Sequence, residues 1–285
     1  MYEAFQVGCA QAKMSSDLLL PERILPHLRT QSFGRTIHHH DRAVSTNDLA
    51  HQFALAGASE GTLVLAEEQS SGRGRLGRTW ASERFSGIYA SLILRPEIEP
   101  REAPILNLAA AVAVSKGIRD VVRLETDIKW PNDVLVNGHK CCGILTEMST
   151  ELDKIQFVIA GIGINVNQMK FPPELENKAS SLFLETKRVI PRIEVLVSVL
   201  KRFEDLYAEF LRKGRSVVLE QWIQRSSYAS GKKVIVESGS RRISGITVGL
   251  GDDGTLQVKT ENGQIETVMS GDLVAWESIV HVTRH

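Results

Sequence analysis

The stretch that decides how this chain is read is Gln69-Ser70-Ser71-Gly72-Arg73-Gly74-Arg75-Leu76-Gly77-Arg78-Thr79-Trp80. Three glycines alternate with three arginines. Glycine lets main-chain amides approach a ligand closely. Guanidinium groups are planar, permanently charged and matched to carboxylate and phosphate oxygens. The segment has almost no apolar residue with which to build a core of its own. It therefore reads as an anion clamp that orders when a ligand arrives, against the plainer reading of a solvated basic loop. Gly72, Gly74 and Gly77 also match G-x-G-x-x-G. That fingerprint requires strand, loop, then helix. Here Thr62–Glu67 reads as a strand, but the residues after the loop are polar and irregular, and Ile88–Leu94 reads as another strand. That context argues against a dinucleotide fold. No Walker A pattern occurs, so any nucleotide is held without a P-loop.

The rest of the composition narrows the class. The 285 residues are 42% hydrophobic and 24% charged, which suits one large or two modest globular domains. Lys plus Arg and Asp plus Glu both total 34, and that balance disfavours nucleic acid as the main partner. No apolar run reaches transmembrane length and no signal peptide is evident, so a cytoplasmic protein with no membrane partner is expected. Cys9, Cys141 and Cys142 form neither a disulfide framework nor a zinc motif, and the adjacent pair reads as small packing residues.

Taken in order, residues 1–17 are mixed, and Leu18–Thr30 predicts one short helix with Pro21 near its start. His38, His39 and His40 are consecutive and so point in different directions, which argues against a shared metal. Ser45-Thr46-Asn47-Asp48 opens a helix running to about Gly57, and Ser45 with Asp48 approximates a capping box. A long helix starts near Pro104 and ends near Val122. Lys129-Trp130-Pro131-Asn132-Asp133 precedes a short strand, Val134–Val136, and Asn137-Gly138 is a hairpin turn. Lys140 and Gly143 lie on the return strand. Ile155–Val166 reads as a buried strand in which Gly161 and Gly163 mark close approach of backbone or ligand. Ile193–Arg212 and Ser216–Ser227 read as helices. From Lys232 onward, four short strands separated by glycine turns predict a small β-barrel, with a boundary near Gly231.

Three distant segments share one chemical character. The Gly/Arg loop offers cations and amides. Lys129, Asn132 and Asp133 offer a cation, an amide and a carboxylate, and Lys140 adds an ammonium one hairpin away. This set suits a nucleoside triphosphate with a divalent ion. No Ser-His-Asp or Cys-His pattern is present, so phosphate-centred displacement is the expected class.

These residues resemble the biotin protein ligase family. The resemblance rests on GRGRLGR (72–78), KWPND (129–133), Lys140 ahead of Gly143-Ile144-Leu145, Ser45-Thr46-Asn47, and Gly161-x-Gly163-Ile164-Asn165, collinear and similarly spaced. It covers residues 36–280. It implies an α+β fold: a mixed β-sheet catalytic domain covered by helices, then a small SH3-like β-barrel. The implied segments are 1–35 with one helix, 36–230 for biotin and ATP, and 231–285.

The resemblance also implies roles. Ser45, Thr46, Asn47, Gln69, Gly72, Arg73, Arg75, Lys140, Gly143 and Gly161 would bind biotin, with Gly163 admitting ligand near the backbone. Arg75, Arg78, Trp80, Lys129, Asn132, Lys140 and Asn165 would serve ATP or the adenylate. Asp133 would contact Mg2+. Lys140, Arg73 and Arg75 would act in catalysis. The implied reaction activates biotin to biotinyl-5'-AMP and transfers it to a lysine of the biotin carboxyl carrier domain of a carboxylase. Two alternatives are a lipoate or octanoyl transferase of the same fold, and a biotin-responsive DNA regulator. The GRGRLGR and KWPND pair favours biotin. About 44 residues precede Ser45, too few for the winged helix of regulatory members, so no specific DNA is expected. An exposed strand edge would support a homodimer, but the sequence does not locate one.

Overall fold

The computed structural model describes residues 17–275. Cys9, the start of the first segment and the end of the last domain lie outside the described residues. The chain begins with α1 (Pro21–Ile24), continued by one 3-10 turn, much shorter than the helix expected there. Then come β1 (Ile37–His40), α2 (Thr46–Leu55), β2 (Leu63–Ala66), β3 (Gly72–Arg73), β4 (Thr79–Trp80), β5 (Gly87–Leu94) and α3 (Pro104–Val122). Next are β6 (Asp127–Lys129), β7 (Asp133–Val136), β8 (His139–Glu151) and β9 (Lys154–Asn165), followed by α4 (Leu182–Thr186), α5 (Arg192–Lys213) and α6 (Ser216–Ile223). The C-terminal strands are β10 (Lys233–Ser238), β11 (Arg241–Leu250), β12 (Leu256–Thr260), β13 (Ile265–Val268) and β14 (Asp272–Ala275). The expected second helix stops at Ile223, four residues early, and β14 is a fifth strand where four were expected.

The large sheet has the order β1-β2-β5-β9-β8-β7-β6. β1 and β2 are parallel, joined through α2, and the other pairs are antiparallel. It is the mixed, helix-covered sheet that the sequence predicts. Alternation divides its side chains between two faces. Leu63, Leu65, Leu92, Ala160 and Ile162 join the main core with α3, α5 and α6. Val64, Ile93, Phe157 and Ile159 pack on Ala50 and Ala54 of α2. The sheet thus carries its large helices on one face. The other face holds α2, and beyond it the glycine-rich ends of β8 and β9.

Close packing of α3 on α5 depends on Gly117. A Cβ there would lie 2.6 Å from Val199 Cγ2 and 2.9 Å from Val199 Cα. At the end of β2, Glu67 and Arg192 form a buried ion pair at 2.7 Å. Glu67 also accepts the Leu19 N–H at 2.7 Å, so the strand end preceding Gln69 is fixed from two sides. His38 stacks on Phe53 with ring centroids 4.1 Å apart, while His39 Nε2 turns to Glu67 at 3.3 Å, as alternation along a strand requires.

The C-terminal strands form one five-stranded antiparallel sheet, ordered β13-β12-β11-β10-β14, consistent with a small SH3-like domain. It is not an independent bead. Val234, Val236, Leu256 and Val258 belong to the same core as α3. Among the described residues no helix is long and apolar enough to cross a membrane.

Candidate active site

The Gly/Arg stretch is a two-stranded ribbon rather than an irregular loop. β3 and β4 pair Gly72 with Trp80 and Arg73 with Thr79. The tip uses Leu76 and Gly77 at φ 54° and 72°. Gly72 is required by crowding: a Cβ there would lie 2.6 Å from the Trp80 carbonyl oxygen. Each arginine has a protein acceptor. Arg73 Nη2 reaches Asp48 Oδ1 at 2.8 Å and Glu147 Oε2 at 2.7 Å. Arg75 Nη1 donates to Asn132 Oδ1 at 3.1 Å and to the Gly271 carbonyl at 3.3 Å. Arg78 pairs with Asp272. Arg73 is therefore fastened to α2 and the large sheet, Arg78 to the small domain, and Arg75 to both. Burial lowers the Arg75 pKa, and Asp272 and Asp133 oppose that shift.

The α2 N-terminus faces the same region. Ser45 is the N-cap by backbone conformation, but its side chain makes no capping bond, contrary to the capping box expected. Gln69 takes that role from a distance. Its Oε1 accepts the Thr46 N–H at 2.8 Å and lies 3.2 Å from Thr46 Oγ1, while its Nε2 donates to Ser82 Oγ at 2.9 Å. Asn47 Nδ2 donates to Glu147 Oε2 at 2.6 Å. Asn47 Oδ1 accepts from Ser91 Oγ at 2.6 Å. Gly161 makes room for this amide, since a Cβ there would meet Asn47 Oδ1 at 2.1 Å.

Lys140 reaches the site through a β-bulge. β7 and β8 pair Val134 with Cys142 but Leu135 with Lys140, leaving Cys141 as the extra residue. A one-residue shift moves a side chain to the opposite face. The bulge therefore puts Lys140 on the face of Asp133 and Gly143, and Lys140 Nζ lies 2.7 Å from Asp133 Oδ1. Cys141 and Cys142 are fully buried, as packing residues should be. Burial pushes the Lys129 ammonium below its ordinary pKa, Asp133 opposes this and Lys140 adds to it.

Gly143 and Gly163 are paired across β8 and β9 and form a floor. The Trp80 indole lies on it, with Cζ3 at 2.8 Å from a Cβ position on Gly143 and Nε1 at 2.7 Å from one on Gly163. Trp80 Nε1 is buried without a hydrogen-bond partner. Lys140 Nζ stands 5.4 Å from the indole centroid.

Residues 40–165 match the Biotin/lipoate A/B protein ligase family, and residues 229–274 match the Biotin protein ligase C terminal domain. The bifunctional ligase/repressor BirA of Bacillus subtilis is 41% identical over 252 residues, covering 86% of this chain and 76% of that protein. The chain belongs to the biotin protein ligase family. A biotin–[acetyl-CoA-carboxylase] ligase of Paracoccus denitrificans is 33% identical over 230 residues, covering 78% of this chain and 94% of that one. The biotin protein ligase of Aquifex aeolicus, solved with biotin and ATP, superposes with a TM-score of 0.72 at 32% identity, over 84% of this chain and 98% of that one.

In this biotin protein ligase, two asparagines flagged by motif have their amides engaged by the protein. Asn132 Nδ2 donates to the Ile144 carbonyl at 3.0 Å while its Oδ1 takes Arg75, so it ties β7, β8 and the ribbon together. Asn165 Nδ2 donates to the Ser180 carbonyl at 3.1 Å and faces the backbone of Lys140, not its ammonium. Trp130 is turned away too: its Nε1 donates to the Gly254 carbonyl at 3.0 Å and joins the ligase's two domains. Beside it opens a cleft of about 1100 Å3 between α3, the Trp130-Pro131 turn and the β11–β12 loop, which shares Arg75 with the ribbon.

Sequence reasoning missed Ser91, Glu147 and Asp272. Ser91 and Glu147 were legible only as polar residues in otherwise apolar or alternating strands. Asp272 had no local signal.

Proposed function

We infer that the chain is an ATP-dependent biotin–[biotin carboxyl-carrier protein] ligase. It activates biotin with ATP to biotinyl-5'-AMP and transfers biotin to a carrier-domain lysine. The observation that carries this reading is the convergence of the Gly/Arg ribbon, the α2 N-terminus and the Lys140–Asp133 pair on one glycine floor.

The roles proposed are those the family resemblance implies, and the geometry supports them. Ser45, Thr46, Asn47 and Gln69 are buried or half-buried polar groups at one end, suited to the ureido head of biotin. The space over Gly161 is taken by Asn47, that over Gly143 and Gly163 by the Trp80 indole and that over Gly72 by the Trp80 carbonyl, so these glycines shape the pocket through the protein groups they admit. Arg73 and Arg75 close over the carboxylate and α-phosphate, and Arg78, Trp80 and Lys129 hold the nucleotide. Asn132 and Asn165 act by tethering the strands around it. A biotin carboxylate oxygen attacks the α-phosphorus, and pyrophosphate leaves with its electron pair. Charge grows on phosphate oxygens in that step, so the fixed ammonium of Lys140 lowers the barrier. The acceptor lysine nitrogen, as the free amine, then attacks the biotinyl carbonyl carbon. The bond from that carbon to the bridging phosphate oxygen breaks, AMP departs with the electron pair, and the nitrogen gives its extra proton to solvent. The closed ribbon excludes water, which would otherwise hydrolyse the anhydride.

Magnesium fits as an ion delivered with ATP. Such an ion would be held through one or two carboxylates plus substrate phosphates, and Asp133 is a carboxylate beside the Lys140 ammonium that would supply one of them. Among the described residues no group of three or more His, Cys, Asp or Glu would hold a metal alone. Asp133 would contact the ion directly or through water, and the ion would neutralise phosphate charge. The partner is a biotin carboxyl carrier domain. We also propose the bounds 36–230 for the catalytic domain and 231–285 for the small one.

Exchange of labelled pyrophosphate into ATP tests the reading. Exchange should require biotin and magnesium and be absent with lipoate. Lipoate-dependent exchange would instead support the lipoate ligases of the same fold.

A further inference from the structure

Glu147 lies outside every motif in the sequence, yet a chain of hydrogen bonds through the biotin-head pocket ends on it. Its Oε2 accepts from Asn47 Nδ2 at 2.6 Å and from Arg73 Nη2 at 2.7 Å. A carboxylate at neutral pH has no proton to give, so it must receive the Asn47 NH2. A flipped Asn47 would set two oxygens against each other at that distance. With Nδ2 committed, Asn47 Oδ1 faces Ser91 Oγ at 2.6 Å, and an amide oxygen only accepts. Ser91 therefore spends its one proton on Asn47. Ser91 Oγ is also 2.8 Å from Thr46 Oγ1, and Ser91 has nothing left to donate there. Thr46 must direct its own proton to Ser91 Oγ or to Gln69 Oε1 at 3.2 Å.

The opposite end is equally fixed. Gln69 Oε1 is held as an acceptor by the Thr46 backbone N–H at 2.8 Å, and the Gln69 NH2 is turned to Ser82. The Ser91 proton is thus assigned to Asn47, and the Thr46 proton is spent inside the protein on either of its two neighbours. Thr46 Oγ1 retains only lone pairs for a ligand. It accepts a hydrogen bond and gives none.

We propose that Glu147 is a positioning residue that sets this polarity, so that the pocket presents Thr46 Oγ1 as an acceptor to a ureido N–H of biotin. The proposal rests on the biotin-binding function argued above. Ser91 is fully buried, and Thr46 and Asn47 nearly so, which makes a wrongly oriented amide costly to satisfy by water. The same carboxylate holds Arg73, with Asp48 as second acceptor at 2.8 Å. Glu147 therefore links recognition of the biotin head to the anchored end of the ribbon.

Removing the acceptor leaves the Asn47 amide held only by its longer bond from Nδ2 to the Leu145 carbonyl at 3.3 Å, against 2.6 Å to Glu147, so the stronger constraint on its orientation is lost. In a turned amide Ser91 accepts from Asn47 and donates to Thr46, and the Thr46 proton is then shared between Gln69 Oε1 at 3.2 Å and a ligand. Glu147→Gln is the informative control. An amide oxygen at that place accepts from both Asn47 and Arg73, so the polarity persists without the charge.

The test is calorimetric titration of the full chain with biotin, with 2-iminobiotin and with ATP, alongside thermal melts. Glu147→Ala should weaken biotin binding by about tenfold or more, the lower bound for a lost charge-assisted hydrogen bond. ATP affinity should stay within about twofold, and the preference for biotin over 2-iminobiotin should shrink. Glu147→Gln should restore both. Ser91→Ala and Glu147→Ala should be non-additive toward biotin, because they interrupt one chain. If Glu147→Ala binds biotin as wild type does, or if Glu147→Gln is no better than Glu147→Ala, the proposal is wrong while the function stands. A parallel loss of biotin and ATP affinity with a lowered melting temperature would make Glu147 merely structural. Absence of biotin binding by the wild-type chain would overturn the function and this proposal together.

Discussion

Lys140 Nζ lies 2.7 Å from Asp133 Oδ1, and the bulge at Cys141 is what brings the two onto one face. The pair is only partly exposed, at 31% and 21% of the side-chain surface, so neither charge is fully screened by water. A cation held in this way is already oriented before substrate arrives. Preorganisation of that kind is what makes an ammonium effective against charge that grows only in the transition state.

Lys140→Ala should therefore leave the fold intact and slow adenylation by roughly 10²–10³-fold, the scale for one preorganised donor. Biotin-dependent pyrophosphate exchange measures the rate and a thermal melt checks the fold. Near wild-type exchange from a folded variant would remove Lys140 from the mechanism.

Asp133→Asn tests the metal contact separately. The magnesium concentration needed for half-maximal ATP use should rise while biotin affinity holds. An unchanged magnesium dependence would move the contact elsewhere.

Arg75→Gly should release the intermediate. It removes the bonds to Asn132 and to the Gly271 carbonyl, and it adds a fourth glycine to the ribbon. Charge-assisted bonds are worth about 1.5–3 kcal/mol, or roughly 10–150-fold in dissociation rate if lost only from the closed state. Arg73 and Lys140 remain to support slower adenylation. Escaped biotinyl-AMP would then label lysines of serum albumin added to the reaction, read by blotting for biotin. Adenylate formation with albumin labelled no more than by wild type would contradict the role of Arg75 in closure.

A fourth prediction concerns pH and stability. Burial alone would raise the Glu204 pKa, but it accepts the backbone N–H groups of Phe33, Ser32 and Gln31 and the Ser32 hydroxyl, and its pKa is lowered on balance. A depressed carboxylate stabilises the fold above its unfolded pKa and loses that contribution as pH falls through the folded value. Wild type should therefore lose stability progressively below about pH 4.3, the ordinary glutamate value. Glu204→Gln should be less stable at neutral pH by about 1.5–3 kcal/mol and show a shallower acid limb. Parallel acid limbs in denaturant titrations would rule this anchor out.

Much of this was legible in the sequence because its signals are local. Pro104 and Gly214 bracket helices whose bounds were read within a few residues, and Asn137-Gly138 turns β7 into β8. Other features depend on partners far along the chain. The local Ser45–Asp48 signal placed the start of α2 correctly, but the first amide is met by Gln69 across 23 residues and not by the Ser45 side chain. The bulge at Cys141 exists only in the register of two strands, and two adjacent cysteines carry no pattern for it. β14 pairs with β10, not with the strand before it, and its Asp272 meets Arg78 at a separation of 194 residues. The five motifs are segments that the fold brings together. They did not distinguish residues that face a ligand from Asn132 and Asn165, whose amides face the protein.

The most direct test of the ligase function is the intact mass of a biotin carboxyl carrier domain incubated with the full chain, ATP and magnesium, with biotin or lipoate supplied separately. A single added biotinyl group, on one lysine and dependent on ATP, is the predicted result. An unmodified carrier with biotin, or a lipoylated one with lipoate, would contradict it.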